Sequence, residues 1–112
     1  MKRLLIVDDD IDFLQLLASV LEGQFEVYTA TGVKAAIQVL NTSVIDAVCS
    51  DFNMRDGTGL DILKQLRRNH SEIPFLLMSG ADDPSLARDA QSYGATFLNK
   101  ADSTLLEKIR NL

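Results

Sequence analysis

Ala47-Val48-Cys49-Ser50-Asp51-Phe52-Asn53-Met54 is an apolar run that ends in a carboxylate, with Gly57 and Gly59 just beyond it. A buried strand that stops on Asp51 delivers that acid to the edge of a sheet, where a packed core meets water. The same pattern repeats on both sides of this stretch. Upstream, Arg3–Val7 is short, apolar and branched, so it reads as a buried strand that runs into Asp8 and Asp9. Phe13, Leu16, Leu17, Val20 and Leu21 then recur with helical period, with Asp10 or Asp12 as the cap and Gly23 as the stop. Residues 26–29 read as a second strand. Val33, Ala36, Ile37 and Leu40 mark a second helix closed by Asn41.

Residues 44–51 contain the third strand. Downstream, Gly59, Ile62, Leu63 and Leu66 mark a third helix that ends near Asn69 and His70. Residues 74–78 form a fourth strand, stopping at Ser79-Gly80. Asp83-Pro84 is a helix start, an acid cap followed by proline at the first helical position. The fourth helix has a thin inner face of Leu86, Ala87 and Ala90, and Gly94 ends it. Thr96–Asn99 is a fifth strand. Asp102 or Ser103 caps a last helix whose inner face is Leu105, Ile109 and Leu112. Five repeats of strand then helix predict an α/β fold: a parallel sheet with helices on both faces.

The chain has 112 residues, 46% of them hydrophobic and 24% charged, a composition that suits one compact domain over residues 1–112. The last helix is short, so this is either a single domain or a piece of something longer. No apolar run approaches the roughly 20 residues that span a bilayer. The first seven residues are followed at once by acids, without a small-residue cleavage site, and do not read as a signal peptide. One cysteine and no export signal place the chain in the cytoplasm, away from membranes. A net charge of −5 and the lack of a basic stripe argue against direct nucleic-acid binding.

In an open α/β sheet, ligands bind outside the carboxyl ends of the strands. Here those ends carry Asp8 and Asp9, Asp51, Ser79 and Lys100. Three crowded carboxylates must take protons or share a cation, and an all-oxygen set favours Mg²⁺. A metal, an ammonium and a hydroxyl around one carboxylate make a place for a phosphoryl group on that carboxylate. Asp51 is then the nucleophile that forms an acyl phosphate.

These pieces resemble the receiver domain of two-component response regulators along essentially the whole chain. The resemblance rests on Leu5-Ile6-Val7-Asp8-Asp9-Asp10, Asp51 to Gly59 with Met54 and Gly59 in family spacing, Met78-Ser79-Gly80, and Phe97-Leu98-Asn99-Lys100. It implies a flavodoxin-like, doubly wound five-stranded parallel sheet of order 2-1-3-4-5. It makes Asp51 the phosphoacceptor, with Mg²⁺ held by Asp8, Asp9, Asp51 and the backbone carbonyl of Asn53. Lys100 would pair with the phosphoryl group. Ser79 would bond to it, and Phe97 would change rotamer as Ser79 moves. The implied donor is a sensor histidine kinase or phosphotransfer protein. The implied response is a shift of the helix 4, strand 5, helix 5 face toward an unnamed effector, a face through which members of the family also form homodimers. Two positions depart from the family: Arg55 and Ala101 stand where receivers usually have proline.

Other readings use the same residues. The first motif also partly resembles that of haloacid-dehalogenase-type phosphatases, with Asp8 as nucleophile, although Asp12 replaces the expected Thr or Val. A receiver-like interaction module that works without phosphorylation would keep the fold and not the chemistry. Cys49 reads as inert core, His70 as exposed, and Tyr28 and Tyr93 as packing or surface residues.

Overall fold

The computed structural model describes residues 1–112, from Met1 to Leu112. The main sheet holds β1 (Arg3–Val7), β2 (Glu26–Ala30), β3 (Ala47–Asp51), β6 (Phe75–Ser79) and β7 (Thr96–Asn99). Its order is β2-β1-β3-β6-β7 and every pairing is parallel, so order 2-1-3-4-5 is what the chain adopts. Two short strands not foreseen in the sequence, β4 (Asn53–Met54) and β5 (Gly57–Thr58), pair antiparallel in the connection that follows β3.

Alternation along each strand divides the core in two. Leu5, Val7, Val48, Phe75 and Leu77 meet α2 (Val33–Thr42), α3 (Gly59–Arg68) and α4 (Pro84–Ser92) on one face. Leu4, Ile6, Cys49, Leu76 and Met78 meet α1 (Ile11–Leu21) and α5 (Leu105–Arg110) on the other. The three central strands are buried on both faces, which is why they read as apolar runs with polar residues only toward their ends.

The period foreseen for α1 holds, and its inner face holds at Leu17 and Leu21, with Phe13 packed at the edge, but not at Leu16 and Val20. Leu14, Leu17 and Leu21 are buried, while Leu16 is 60% and Val20 43% exposed. The helix carries two apolar stripes, and only one can face the sheet. The other, with Phe13, Leu16 and Val20, lines an open groove against Leu105 and Leu106 of α5. Asp10 is the α1 cap, accepting from the Phe13 N–H. Helix α2 runs on through Asn41 to Thr42. Ser103 caps nothing: α5 starts after Thr104, and Asp102 instead accepts from the Thr104 N–H and hydroxyl. Leu112 lies past the end of α5 but still packs on that core.

Candidate functional site

Strand register builds the site. Val7 is paired with Ser50, so the next residues, Asp8 and Asp51, emerge side by side at the carboxyl end of the sheet. Asp51 is paired in turn with Met78, and Ser79 with Asn99, which brings Ser79 and Lys100 to the same rim. Carboxylate oxygens of Asp8, Asp9 and Asp51 all lie within 4.8 Å of one another. Asp8 is fully buried, Asp51 nearly so, and Asp9 half-exposed.

Lys100 supplies the opposing charge. Its ammonium is 2.7 Å from Asp8 Oδ2 and 3.4 Å from Asp51 Oδ1. The Phe13 ring lies beneath it, 4.6 Å from Nζ to the ring centre, a cation–π contact. No peptide bond in the chain is cis, so Lys100 reaches both acids with a trans Lys100-Ala101 bond. Burial together with the neighbouring Asp8 charge raises the Asp51 pKa, and Lys100 only partly offsets this. Burial pulls the Lys100 pKa down, but Asp8 and Asp51 outweigh it and the ammonium is held charged. One cation therefore serves two buried carboxylates. Asp8 Oδ1 accepts from the Asp10 N–H, but Asp8 Oδ2 has only the ammonium and no well-directed hydrogen bond. A buried oxygen left so underused, in an all-oxygen cluster of net negative charge, fits a hard divalent cation.

Gly59 keeps the floor of the site close. A Cβ there would sit 2.4 Å from the Asp51 carbonyl oxygen and 2.8 Å from Ser50 Oγ. The start of α3 can therefore press against the backbone of the acid only without a side chain. Ser79 is buried at the next strand end, where its Oγ accepts from the Ala81 N–H and bonds to neither Asp51 nor Lys100. Phe97 is half-buried and opens onto a recess of about 200 Å³ with Asp82, Asp83, Pro84 and Ala87. Asn53 is exposed in β4, its backbone paired with Thr58. Asp8, Asp9, Asp51 and Lys100 are thus in one cluster, with Ser79 at the next strand end, Asn53 in β4 just beyond Asp51, and Phe97 apart from it on the α4 side of β7.

The family model for the response regulator receiver domain matches residues 4–110. The chain belongs to that family. The receiver is 33% identical over 95 residues to the acid tolerance regulatory protein ActR of Rhizobium meliloti, covering 84% of this chain and 49% of ActR. It is 35% identical over 80 residues to the response regulator SaeR of Staphylococcus aureus, covering 70% of this chain and 35% of SaeR. It therefore spans about half the length, or less, of these curated relatives. The chemotaxis response regulator CheY4 of Vibrio cholerae superposes with a TM-score of 0.87 at 27% identity, covering 99% of this chain and 98% of that one. TrrA of Thermotoga maritima, solved in complex with Mg²⁺-BeF, gives 0.84 at 26% identity, with 99% and 98% covered.

Three residues around the receiver's site carried no signal that the sequence reading used. Phe13, foreseen only as helix core, is the ring under Lys100. Asp56 accepts from the Val33 and Lys34 N–H groups at 2.8 and 3.0 Å, capping α2 from the β3–α3 connection. The hint was a helix that starts at Val33 with only Gly32 before it, and a Cβ on Gly32 would lie 2.7 Å from Asp56 Oδ1. Asn99, read only as a strand end, bonds on both sides of its own loop. Cys49 is buried as foreseen, and burial, reinforced by Asp8, pushes its thiol pKa far up. His70 is exposed and takes the left-handed conformation (φ 62°) that ends α3.

Proposed function

We propose that this receiver accepts a phosphoryl group onto Asp51 and uses the charge to shift its α4–β7–α5 face. The observation that carries the reading is a single ammonium, Lys100, held at 2.7 and 3.4 Å from two buried acids of a three-acid cluster. Asp51 Oδ attacks the phosphorus of a phosphohistidine on a sensor histidine kinase or phosphotransfer protein. The new O–P bond forms as the N–P bond breaks, and the imidazole nitrogen keeps the electron pair. Lys100 faces the phosphoryl oxygens and offsets their charge. Asp8, Asp9, Asp51 and the Asn53 carbonyl would hold Mg²⁺, which supplies charge neutralisation for the oxygens in transfer. Water later attacks the same phosphorus and returns Asp51 to a carboxylate. The chain therefore catalyses its own phosphorylation and dephosphorylation and no other turnover.

The phosphorylated state draws Ser79 toward the new oxygens, and Phe97 turns into the space that opens beside α4. This biases an existing equilibrium of the face rather than creating a new shape. The phosphodonor has an exposed apolar surface to dock on, the groove that Leu16 and Val20 of α1 line beside Lys100. A cytoplasmic setting follows for a domain fed by a kinase's phosphohistidine. The downstream effector and any homodimer would engage the α4–β7–α5 face.

The test is intact mass after incubation with acetyl phosphate and Mg²⁺. Wild type is expected to gain one phosphoryl adduct that EDTA prevents, and Asp51→Asn none. Equal labelling of the variant sinks the assignment of Asp51. No adduct with any donor moves the reading to an interaction module that works without phosphorylation.

A further inference from the structure

Asn99 closes β7 one residue before Lys100, and its amide is engaged at both ends. Its Oδ1 accepts from the Ala101 N–H at 2.8 Å, and its Nδ2 donates to Asp82 Oδ1 at 3.1 Å. An N–H on one side and a carboxylate on the other leave only one way round for the amide. The first bond ties residues 99 and 101 through a side chain, so the backbone of Lys100 between them has little freedom. It exists because residue 101 carries an N–H, which proline would lack. The Lys100 N–H itself donates to the Ser79 carbonyl at 2.8 Å. From this fixed base the Lys100 side chain reaches Asp8, Asp51 and the Phe13 ring. The second bond lands on the connection between Ser79 and α4, immediately before the Asp83 that caps the helix.

We propose that Asn99 is the positioning residue for Lys100 and couples the Lys100 loop to the start of α4. The catalytic part of this rests on the reading of Lys100 as the cation that serves a phosphoryl group on Asp51. A shift of the Ser79 connection moves Asp82, and through Asn99 it moves the base of Lys100. A shift at Lys100 acts on α4 by the same route.

The Phe13 ring gives a readout that needs neither metal nor phosphoryl group. Its ring current displaces the NMR resonances of the Lys100 ε-methylene while the ammonium sits over it. In Asn99→Ala, those resonances are expected to move to the values of a solvated lysine. Labelling by acetyl phosphate is expected to slow by about tenfold, because a misaimed side chain loses orientation rather than charge. The amide spectrum of β1 and β3 should stay as in wild type, which separates this from unfolding. Asn99→Ser keeps a side-chain oxygen that can accept from the Ala101 N–H without setting a charge against Asp82, and should restore the Lys100 resonances at least in part. Asp82→Ala should leave them in place and disturb only the amides at the start of α4. Unchanged Lys100 resonances and labelling in Asn99→Ala overturn the proposal, and so does an Asn99→Ser protein that behaves like the alanine variant. If wild type takes no phosphoryl group, the functional reading fails, while the Lys100 resonances still decide the role of Asn99.

Discussion

Helices α3 and α4 lie on the same face of the sheet, one beside the proposed acceptor strand and the other beside the proposed switch, and they are held by different means. Helix α3 buries Gly59, Ile62, Leu63 and Leu66. It starts in a capping box between Thr58 and Asp61 and ends on the left-handed His70. Helix α4 has a cap in Asp83 and a proline at its first turn, but it buries only Leu86 and Ala90. A large aliphatic side chain fully removed from water contributes about 1.5–3 kcal/mol, so three of them against one is a difference of several kcal/mol. Helix α3 is part of the wall that fixes Asp51. Helix α4 is placed largely by polar ties at its two ends, which can be exchanged at little cost. Elements that move are drawn from the weakly buried end of a fold.

The largest effect that probes this contrast comes from cutting the same side chain out of each helix. Leu63→Ala, at a site with no exposure, is expected to lower the urea-unfolding free energy by about 2–5 kcal/mol. Leu86→Ala should cost clearly less, because α4 can settle into the space that α3 cannot close. Equal losses would show that α4 is as firmly packed as α3, and the contrast would fail.

Arg67 sharpens the comparison from the other end of α4. From the last turn of α3 its guanidinium donates to the carbonyls of Tyr93, Ser71 and Ile73 at 2.7, 2.9 and 3.0 Å. It ties the exit of α4 to the entry of β6. Arg67→Ala leaves three carbonyls without their donor, a loss of about 1–3 kcal/mol. The loss should be read locally: hydrogen exchange of the Gly94 and Ala95 amides is expected to speed up, while the amides of β3 stay protected. A uniform acceleration across the sheet would make Arg67 part of the global core instead.

How much of this was readable in the sequence follows the same division. The β1, β3 and β6 runs were legible because strands buried on both faces are apolar nearly throughout, with polar residues gathered at their ends. The acids at their ends stood out against those runs. The inner face of α3 was legible because its apolar residues form one stripe. Helix α1 misled because Leu16 and Val20 make a second stripe as apolar as the first, and only packing chooses between them. Arg67, Asp56 and Asn99 were invisible for a different reason. Each bonds to backbone groups or side chains that are distant in sequence or set by a turn, and no periodicity announces such partners.

The smallest expected effect tests a polar tie on the rigid side. Asp56 is fully exposed, yet the Lys34 and Val33 N–H groups hold its pKa below the ordinary carboxylate range. A carboxylate whose folded pKa is depressed contributes stability above its unfolded pKa, near about 4, and loses it as pH falls toward the folded value. Asp56→Asn removes the charge at the start of α2 and one of the two acceptors, because its NH2 would face one of the two N–H groups. Its deficit in Tm relative to wild type should be constant above about pH 5 and should shrink below about pH 4. A deficit that persists unchanged into acid would mean that Asp56 acts through its second acceptor and not through its charge. The charge at the start of α2 would then add nothing to the wall around Asp51.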